Sequence, residues 1–215
     1  MKSDTKEKII EKATYEFASK GYEPTVTRDI LKKAQANVAA ISYYFGNKNG
    51  LYAEVLKRIL VRINQKFSDE MDEYQNELSL RPCPQKSEVL LKRFIRGFVE
   101  LFCSDKLTTA MCMIFVHEYV EPSVCGSELL QGVNTQYRQI FVDLLVDANE
   151  GKMSYKEAVL QVVMLFSSIF MLVSRKKIIL NAMQWKEYTP ESVDEILAVL
   201  YRVCSEDKGQ FLRKS

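Results

Sequence analysis

The chain has 215 residues, of which 47% are hydrophobic and 27% are charged, with a formal net charge of +2. A chain of this size can bury a sizeable core, either as one large domain or as a small domain joined to a larger one. A single histidine, no glycine-rich phosphate loop and no paired carboxylates argue against an enzyme. Few glycines and prolines and little strand-like alternation indicate an all-α protein without a flexible linker.

The basic residues are concentrated near the start of the chain. The first 66 residues carry thirteen Lys or Arg and seven Asp or Glu, a net charge of +6, which leaves −4 for the remainder. This asymmetry is typical of a phosphate-binding domain on a neutral to acidic body. Charge alone leaves an alternative open, because Lys8, Glu11 and Lys12 could simply pair on a solvated helix surface.

The first predicted helix carries an apolar stripe of Ile9, Ile10, Ala13 and Phe17. Asp4 and Glu7 have the spacing of a capping box, and Gly21 is a typical residue at which a helix ends. The sequence therefore predicts one amphipathic helix before residue 21.

Two short helical patterns follow, separated by a three-residue break. Ile30, Leu31 and Ala34 form the apolar face of the first, and Thr25 or Thr27 is expected to cap its start. Asn37 is expected to cap the second in the same way. Two helices joined by so tight a turn predict a helix-turn-helix, whose second helix enters the major groove of DNA.

The second of these helices has one inward and one outward face. At about 100° per residue, Val38 and Phe45 are predicted to lie on the core side with Ile41. The opposite face would present small and hydrogen-bonding side chains to base edges: Ala39, Ala40, Ser42 and Tyr43. Short helical pairs also occur in proteins that bind no DNA, so periodicity alone leaves that alternative open.

Residues 34–51 read AQANVAAISYYFGNKNGL. This segment closely resembles the recognition segment of the TetR family of bacterial transcriptional regulators, in which a pattern like AGVSxGTLYxYFxSKEEL recurs. Phe17, Gly21, Thr25, Thr27 and Ile30 also match. The resemblance implies an all-α fold of about nine helices. Residues 1–50 would form the DNA-binding domain, with the helix-turn-helix at about 25–45, and residues 51–215 a helical regulatory and dimerisation domain.

The resemblance also implies roles for individual residues. Thr27 would contact a DNA phosphate, Arg28 a phosphate or a base edge, and Lys48 the DNA backbone. The positions expected to face the operator are Asn37, Ala39, Ala40, Ser42 and Tyr43. Ser42 replaces the usual tyrosine, and Gly50 replaces a glutamate that would complete a capping box after Asn47. The fourth helix is therefore expected to start less firmly.

The body is predicted to contain several long helices. The fourth helix of the chain would continue from Leu51 to about Tyr74 and pass signals between the domains, before a proline-containing loop at 79–86. Further helices are predicted at about 90–102, 107–119 and 127–150. Ser154 with Glu157, and Thr189 with Pro190, are expected to open the last two.

Residues 159–173 form the most apolar run of the chain. Fifteen residues interrupted by Gln161, Ser167 and Ser168 are short for a membrane span of about 20 residues, so a helix buried in protein is predicted, with no membrane partner. The resemblance implies that helices near 154–183 and 191–204 pair with those of a second copy in a homodimer. A charged residue at Ile169 or Leu172 would then produce monomers.

The resemblance also implies a cavity in the body for a small-molecule effector. Large apolar side chains with a few polar ones are typical of such cavities. The candidate lining residues are Phe98, Phe102, Met111, Met113, Phe115, His117, Tyr119, Met164 and Phe166. Ordinary core packing is the alternative for all of them. Residues 117–123, HEYVEPS, resemble the R-E-x-x-x-P-S/T pattern of a CecR-like branch, with His117 in place of the arginine.

The five cysteines form no C-x-x-C pair, and with no signal peptide we expect reduced thiols in a bacterial cytoplasm, at the nucleoid when DNA is bound. A single histidine makes a metal site a poor hypothesis, so neither metal nor cofactor is predicted. The sequence predicts a ligand-responsive repressor that binds a palindromic operator as a homodimer. A thiol- or metal-responsive adaptor acting through protein partners is the alternative.

Overall fold

The computed structural model describes residues 2–78 and 83–204. These residues form eleven α-helices and no strand: α1 Lys2–Lys20, α2 Thr27–Ala34, α3 Ala39–Phe45, α4 Lys48–Lys66, α5 Ser68–Leu78, α6 Pro84–Phe102, α7 Lys106–Val120, α8 Val124–Ala148, α9 Tyr155–Ser174, α10 Lys176–Met183 and α11 Pro190–Cys204. The predicted all-α fold is confirmed. Part of the predicted loop at 79–86 lies outside the described residues.

Eleven helices are described where about nine were predicted, because two predicted helices are interrupted. The fourth breaks at Phe67, whose fully buried ring lies 4.5 Å from that of Phe98, between centroids. The helix predicted from Ser154 to Met183 breaks at Arg175, whose backbone has φ −122° and ψ 25°. Apolar residues keep helical spacing across both breaks, so periodicity could not reveal them.

Several predicted helix starts are confirmed by side-chain hydrogen bonds. Asn37 Oδ1 accepts the backbone N–H of Ala39 at 3.0 Å. Ser154 Oγ accepts the N–H of Glu157 at 3.2 Å. Thr189 and Ser192 each accept the other's backbone N–H, at 3.3 and 2.8 Å, at the start of α11. Each bond satisfies an N–H that would otherwise lack a partner within its helix.

Two predicted caps are wrong. Asp4 lies within α1, where it pairs with Lys8 at 2.8 Å, so it cannot cap a helix that already includes Lys2. Val26 precedes α2 and provides no side-chain cap. The buried Thr25 hydroxyl instead donates to the carbonyl of Gly21 at 2.6 Å. Thr25 therefore ties the turn back to the end of α1, a role that spacing alone does not distinguish from capping.

The helices form two compact units. The first unit comprises residues 1–65 and 105–134, and the second comprises residues 66–104 and 135–215. In the first unit, α1 packs against α2 and α7; in the second, α6 packs against α9 and α11. The predicted boundary at residue 50 separates a DNA-binding domain from a regulatory domain by function, whereas these two units are defined by compactness. The boundary at residue 50 therefore stays a prediction.

The first unit has a core of aliphatic residues and a small ring cluster. The rings of Phe17 and Tyr52 lie 4.6 Å apart and those of Tyr22 and Tyr52 4.7 Å apart, between centroids. Phe17 and Tyr52 are each only 1% exposed. The rest of this core consists of buried aliphatic residues of α1 to α4: Ile9, Ile10, Ile30, Leu31, Ile41, Leu51, Val55, Leu56, Ile59 and Ile63. The cluster joins α1, the segment after it, and α4.

The core of the second unit is largely aromatic. Phe67, Phe98 and Phe166 form one contiguous row, with Phe98 and Phe166 edge to face at 5.4 Å. Phe94, Tyr137 and Phe141 pack around the row at centroid distances of 5.0 to 5.8 Å from its rings. Edge-to-face and tilted ring pairs are the favourable arrangements in such a core.

Helix α9 has one buried and one exposed apolar face. Ile169 and Leu172 are 0% and 6% exposed within their own chain, so their assignment to the dimer surface is wrong. A charge there would disrupt the core instead of separating subunits. The exposed apolar side chains of α9 are Leu160, Val163, Met164 and Met171. By length and composition α9 is the one described helix that could cross a membrane, and half of its most apolar window is buried in the protein.

A buried carboxylate connects α1 to α2. Glu16 is 4% exposed, and its carboxylate pairs with Lys20 at 2.8 Å and with Lys33 of α2. Hydrogen bonds from these two lysines lower the pKa of Glu16 below its ordinary value, against the opposing effect of burial. The charged form of Glu16 is therefore favoured in the folded protein.

Replacing Glu16 with glutamine should lower the free energy of unfolding by about 1 to 3 kcal/mol at neutral pH, since two charge-assisted bonds are weakened. A lowered native pKa stabilises the fold above the ordinary value of 4.5, and this stabilisation is lost as pH falls through the native value. The difference between parent and variant should therefore shrink from pH 7 to about pH 3. Urea unfolding at both pH values measures it.

Glu11→Gln is the matched control, because Glu11 pairs with Lys12 on the surface of the same helix. It should change the free energy of unfolding by less than about 1 kcal/mol. Equal losses in the two variants would contradict the assigned role of Glu16.

Candidate nucleic-acid interface

A tight turn sets the position of α3 after α2. Gln35 adopts a left-handed conformation with φ 53°, and the N–H of Ala36 donates to the carbonyl of Leu31 at 3.0 Å. These bonds close the C-terminal end of α2. On α3, Ile41 is 7% exposed and anchors the helix on the core, as predicted. The opposite face of α3 is consequently directed outward.

The exposed surface of α3 contains the predicted reading residues. Asn37, Ala39 and Ser42 are exposed, Tyr43 is 69% exposed, and Ala40 is half-buried. Alanine side chains permit close approach to bases, and the Ser42 and Tyr43 hydroxyls can donate or accept hydrogen bonds. The chain therefore presents a compact, uncharged surface with hydrogen-bonding capacity.

Val38 was predicted to lie on the core side, and this is wrong because it is 70% exposed. It precedes the first residue of α3, where helical periodicity no longer predicts which side is covered. Its methyl groups extend the outward surface next to Ala39. Sequence reasoning therefore missed an apolar group that could meet a thymine methyl.

The predicted phosphate-binding residues flank this surface in the chain. Thr27 and Arg28 lie in the first turn of α2, with Arg28 exposed and Thr27 half-buried. Lys48 is the first residue of α4, where the positive end of the helix dipole adds to its charge. Its ammonium donates to the carbonyl of Glu23 at 3.0 Å and lies 4.3 Å from the centroid of the Tyr22 ring. The contact with Tyr22 had no signal in the sequence.

The turn between α3 and α4 explains Gly50. Asn47 Oδ1 accepts the N–H of Gly50 at 2.9 Å, so Asn47 still caps α4 without the usual glutamate. A Cβ on residue 50 would lie 1.9 Å from the carbonyl oxygen of Phe45, far inside van der Waals contact. Any side chain at residue 50 would force this turn to shift, because the two helices approach closely here.

The candidate effector-lining residues are divided between the two units. Met111, Met113, Phe115, His117 and Tyr119 lie in the first unit; Phe98, Phe102, Met164 and Phe166 lie in the second. His117 Nε2 lies 3.1 Å from the carbonyl oxygen of Ala18, to which its N–H donates. Phe98, Phe102 and Phe166 are buried among rings, whereas Tyr119 and Met164 are 40% and 61% exposed.

A cleft of about 300 Å³ is present in the first unit, lined by Asp4, Glu7, Lys8, Ile10, Glu11, Thr14, Arg58, Leu107 and Met111. Met111 is the one predicted lining residue that reaches it. The Arg58 guanidinium donates two hydrogen bonds to the Glu7 carboxylate across the cleft, at 2.5 and 2.7 Å. The charges of Arg58 and Glu7 therefore neutralise each other within the cleft.

The cysteine, histidine and carboxylate side chains are the groups on which metal or thiol chemistry would depend. Among the described residues, no three His, Cys, Asp or Glu side chains are grouped so that they could hold a metal ion. Burial raises the pKa of the Cys103 thiol to about 12 and also raises that of Cys125, which keeps both as thiols. Cys112 is buried, and the side chain of Cys204 lies outside the described residues.

Two protein-family models match the chain. The model "Bacterial regulatory proteins, tetR family" matches residues 9–55. The model "HTH-type transcriptional dual regulator CecR, C-terminal domain" matches residues 87–205, more than half of the chain. The two matches fall on the recognition segment and on the body.

Two curated relatives share parts of the sequence. The "Probable HTH-type transcriptional regulator YttP" of Bacillus subtilis (strain 168) is 55% identical over 51 residues, 24% of this chain and 25% of that protein. The "HTH-type transcriptional dual regulator CecR" of Shigella flexneri is 30% identical over 120 residues, 55% of this chain and 52% of that protein. The matches thus span a quarter and about half of the relatives' own lengths.

Solved structures share the whole fold at low identity. A TetR-like transcriptional regulator from Rhodococcus sp. RHA1 has a TM-score of 0.67 at 15% identity, with 93% of each chain covered. AibR, solved in complex with isovaleryl coenzyme A and operator DNA, has a TM-score of 0.66 at 13% identity, covering 92% of this chain and 98% of AibR. At these identities the likeness concerns the fold.

Substituting Gly50 tests the described turn between α3 and α4. Gly50→Ala should lower the free energy of unfolding by about 1 to 3 kcal/mol, because the turn must open to admit the new methyl group. In the matched control Gly132→Ala on α8, the added Cβ meets no atom within 4 Å. That variant should be as stable as the parent or gain about 0.5 to 1 kcal/mol. Thermal unfolding of both variants provides the comparison, and an unchanged Gly50→Ala protein would contradict the described turn.

Proposed function

The chain belongs to the TetR family of bacterial transcriptional regulators and has a C-terminal domain of the CecR type, and we propose that it is an effector-responsive repressor that binds a palindromic operator as a homodimer. DNA binding and the regulation of transcription are properties of this family. What we propose beyond the family properties is the repressor activity, the symmetry of the operator, the small-molecule effector and the homodimer.

The observation that carries the proposal is the outward surface of α3. It combines small residues and hydroxyls on one short helix with basic residues at the starts of the two neighbouring helices. Small residues admit the base edges, and basic residues neutralise phosphates on either side of the groove. The net charge of +6 in the first 66 residues adds long-range attraction to DNA.

We assign the roles by chemistry. Tyr43 and Ser42 would contact bases, with Asn37, Ala39 and Ala40 beside them on the same surface. Thr27 and Lys48 would contact the DNA backbone and Arg28 a phosphate or a base edge, and the backbone contacts would fix the orientation of α3. Val38 is 70% exposed and would add an apolar contact with DNA that the sequence had not indicated.

The exposed face of α9 supports a homodimer. Leu160 and Met164 are 60% and 61% exposed, Met171 is 48% exposed, and no charged residue lies between Glu157 and Arg175. An apolar surface this long is unfavourable in water and is typical of a subunit interface. On α11, Val199 is 53% exposed and would extend it. A two-fold dimer would place two α3 helices on half-sites about 34 Å apart.

A small-molecule effector would act through the body of the protein, residues 51–215. Gln161 of α9 is 6% exposed, and neither atom of its carboxamide has a hydrogen-bond partner among the described residues. Such a buried amide favours a polar ligand group as its partner. Together with Phe98, Phe102 and Phe166 of the same unit, it would recognise an effector with both apolar and hydrogen-bonding parts. Effector binding would favour a dimer geometry that no longer fits two half-sites.

The alternative function is that of an adaptor whose first unit binds a protein. The two functions differ in their response to salt. DNA binding weakens steeply with salt because phosphate contacts release counterions, whereas an interface centred on small and apolar residues would respond weakly.

Lys48→Ala and Tyr43→Ala test the DNA-binding surface. Both should weaken binding to a palindrome selected from random DNA, with Tyr43→Ala costing about 1 to 3 kcal/mol. Lys48→Ala should also reduce the slope of log K against log salt by about 0.9, the value for one lost phosphate contact. Fluorescence anisotropy at several salt concentrations measures both effects.

Lys186→Ala removes an exposed lysine from the second unit and serves as the control. It should bind the palindrome like the parent. If Tyr43→Ala and Lys48→Ala also bind like the parent, the assigned surface is wrong.

Met164→Glu tests the proposed dimer. A charge on the exposed face of α9 should convert dimers to monomers in analytical ultracentrifugation without unfolding the chain. Val89→Glu on α6 alters a residue of similar exposure, 56%, outside the proposed interface and should leave the dimer intact. A Met164→Glu protein that remains dimeric would place the interface elsewhere.

A further inference from the structure

A continuous series of contacts leads from Lys48 to the turn between α7 and α8, entirely within the first unit. We propose that Tyr22 and Tyr52 are positioning residues for operator binding, which hold Lys48 in its DNA-binding place and connect it to the buried Glu118. The inference rests on the proposed role of Lys48 in DNA binding. It assigns functions to residues that touch no DNA themselves.

The first contact holds the lysine. The Lys48 ammonium lies 4.3 Å from the centroid of the Tyr22 ring, a favourable distance for a cation facing an aromatic ring. The Tyr22 hydroxyl donates to Asn49 Oδ1 at 2.6 Å, which fixes the ring beside the start of α4. The Lys48 side chain therefore has a defined direction before DNA arrives, so less of its freedom is lost on binding.

The second contact connects the ring to α4. The centroids of Tyr22 and Tyr52 lie 4.7 Å apart at an interplanar angle of 40°. Tyr52 lies four residues after Lys48, so both side chains leave the same face of α4. Tyr52 is 1% exposed and also packs against Phe17 of α1. Close packing against both rings therefore couples the position of Tyr52 to that of Tyr22.

The third contact connects Tyr52 to α7. The Tyr52 hydroxyl donates to Glu118 Oε1 at 2.5 Å, and Glu118 Oε2 accepts the backbone N–H of Ser123 at 2.9 Å. Glu118 is 5% exposed. Burial, with the neighbouring carboxylate, holds the pKa of Tyr52 far above its ordinary value, so Tyr52 remains a donor. One carboxylate thereby links α4 to the turn between α7 and α8.

The start of α8 closes around this carboxylate. The N–H of Gly126 donates to Ser123 Oγ at 2.9 Å, and a Cβ on Gly126 would lie 1.5 Å from Glu118 Oε2. The backbone of α8 therefore lies directly against Glu118. A displacement of this turn must move Glu118, and with it the hydroxyl of Tyr52. The predicted consequence is a change in the place of Lys48 and in operator affinity.

The experiment is a pair of double-mutant cycles with Lys48→Ala, measured by anisotropy on the selected palindrome at several salt concentrations. Tyr22→Leu removes the ring face, whereas Tyr22→Phe keeps it and loses only the hydroxyl. Tyr22→Leu should weaken operator binding by about 2- to 5-fold and reduce the salt slope. Tyr22→Phe keeps the ring face and loses the hydrogen bond to Asn49, so its effect should be clearly smaller. In the Lys48→Ala background, Tyr22→Leu should have little further effect.

Tyr52→Phe tests the connection to Glu118, because it keeps the ring and removes the donor to the carboxylate. It should also weaken binding and reduce the salt slope, and this effect should disappear in the Lys48→Ala background. A reduced fraction of folded protein would lower apparent affinity without changing the salt slope, so the slope separates positioning from a loss of stability. Should Tyr22→Leu fail to fold, the Tyr52→Phe cycle alone decides the inference.

The outcomes distinguish this inference from the proposed function. If Lys48→Ala weakens binding but Tyr22→Leu and Tyr52→Phe have the same effect with and without Lys48, the positioning role is overturned and DNA binding stands. If Lys48→Ala changes neither affinity nor salt slope, the proposed contact of Lys48 with DNA fails, and the inference fails with it. Loss of both the Tyr22→Leu and the Tyr52→Phe effects in the Lys48→Ala background supports the inference.

Discussion

Three aromatic rings from separate parts of the chain meet in the core of the first unit, and the recognition helix depends on their packing. Phe17 comes from α1, Tyr22 from the segment after α1, and Tyr52 from α4. Their centroids are 4.6 to 6.0 Å apart, so each ring restricts the other two. Because α4 starts only three residues after α3 ends, the placement of Tyr52 also limits where α3 can lie.

Charge and burial are combined differently in the two parts of the molecule. In the first unit, buried carboxylates have charged or polar partners: Glu16 pairs with lysines of α1 and α2, and Glu118 accepts from Tyr52 and Ser123. Removing any of these donors would leave a desolvated charge, which is why such networks hold helices in one arrangement. In the second unit the core is aromatic and α9 keeps an apolar surface uncovered in the single chain. The paired carboxylates of the first unit favour a fixed position of α3. The exposed apolar face of α9 in the second unit favours association with another apolar surface.

The parts of the fold that were predictable depend on neighbours in the sequence. Asn37, Ser154 and Thr189 act within three residues of their partners, so short spacing was sufficient to predict their caps. The breaks at Phe67 and Arg175 were not predictable because apolar periodicity continues through them. Ile169 and Leu172 show the same limit, since an apolar residue on a helix can face its own core or a partner. The residues of the outward surface of α3 were predicted from the resemblance and from helical periodicity. Val38 is the exception, because it was predicted to lie on the core side and is exposed.

The sequence by itself determined the helical class, the recognition segment and the concentration of basic residues near the start, because composition and local spacing carry that information. Only the tertiary structure decided which polar groups meet. Tyr52 and Glu118 are 66 positions apart, and Lys33 pairs with a glutamate 17 positions before it. Such pairs have no local spacing, since they form only when packed helices bring distant segments together. The outward surface of α3 can therefore be predicted from the sequence, whereas the contacts that hold α3 in place are determined by the fold.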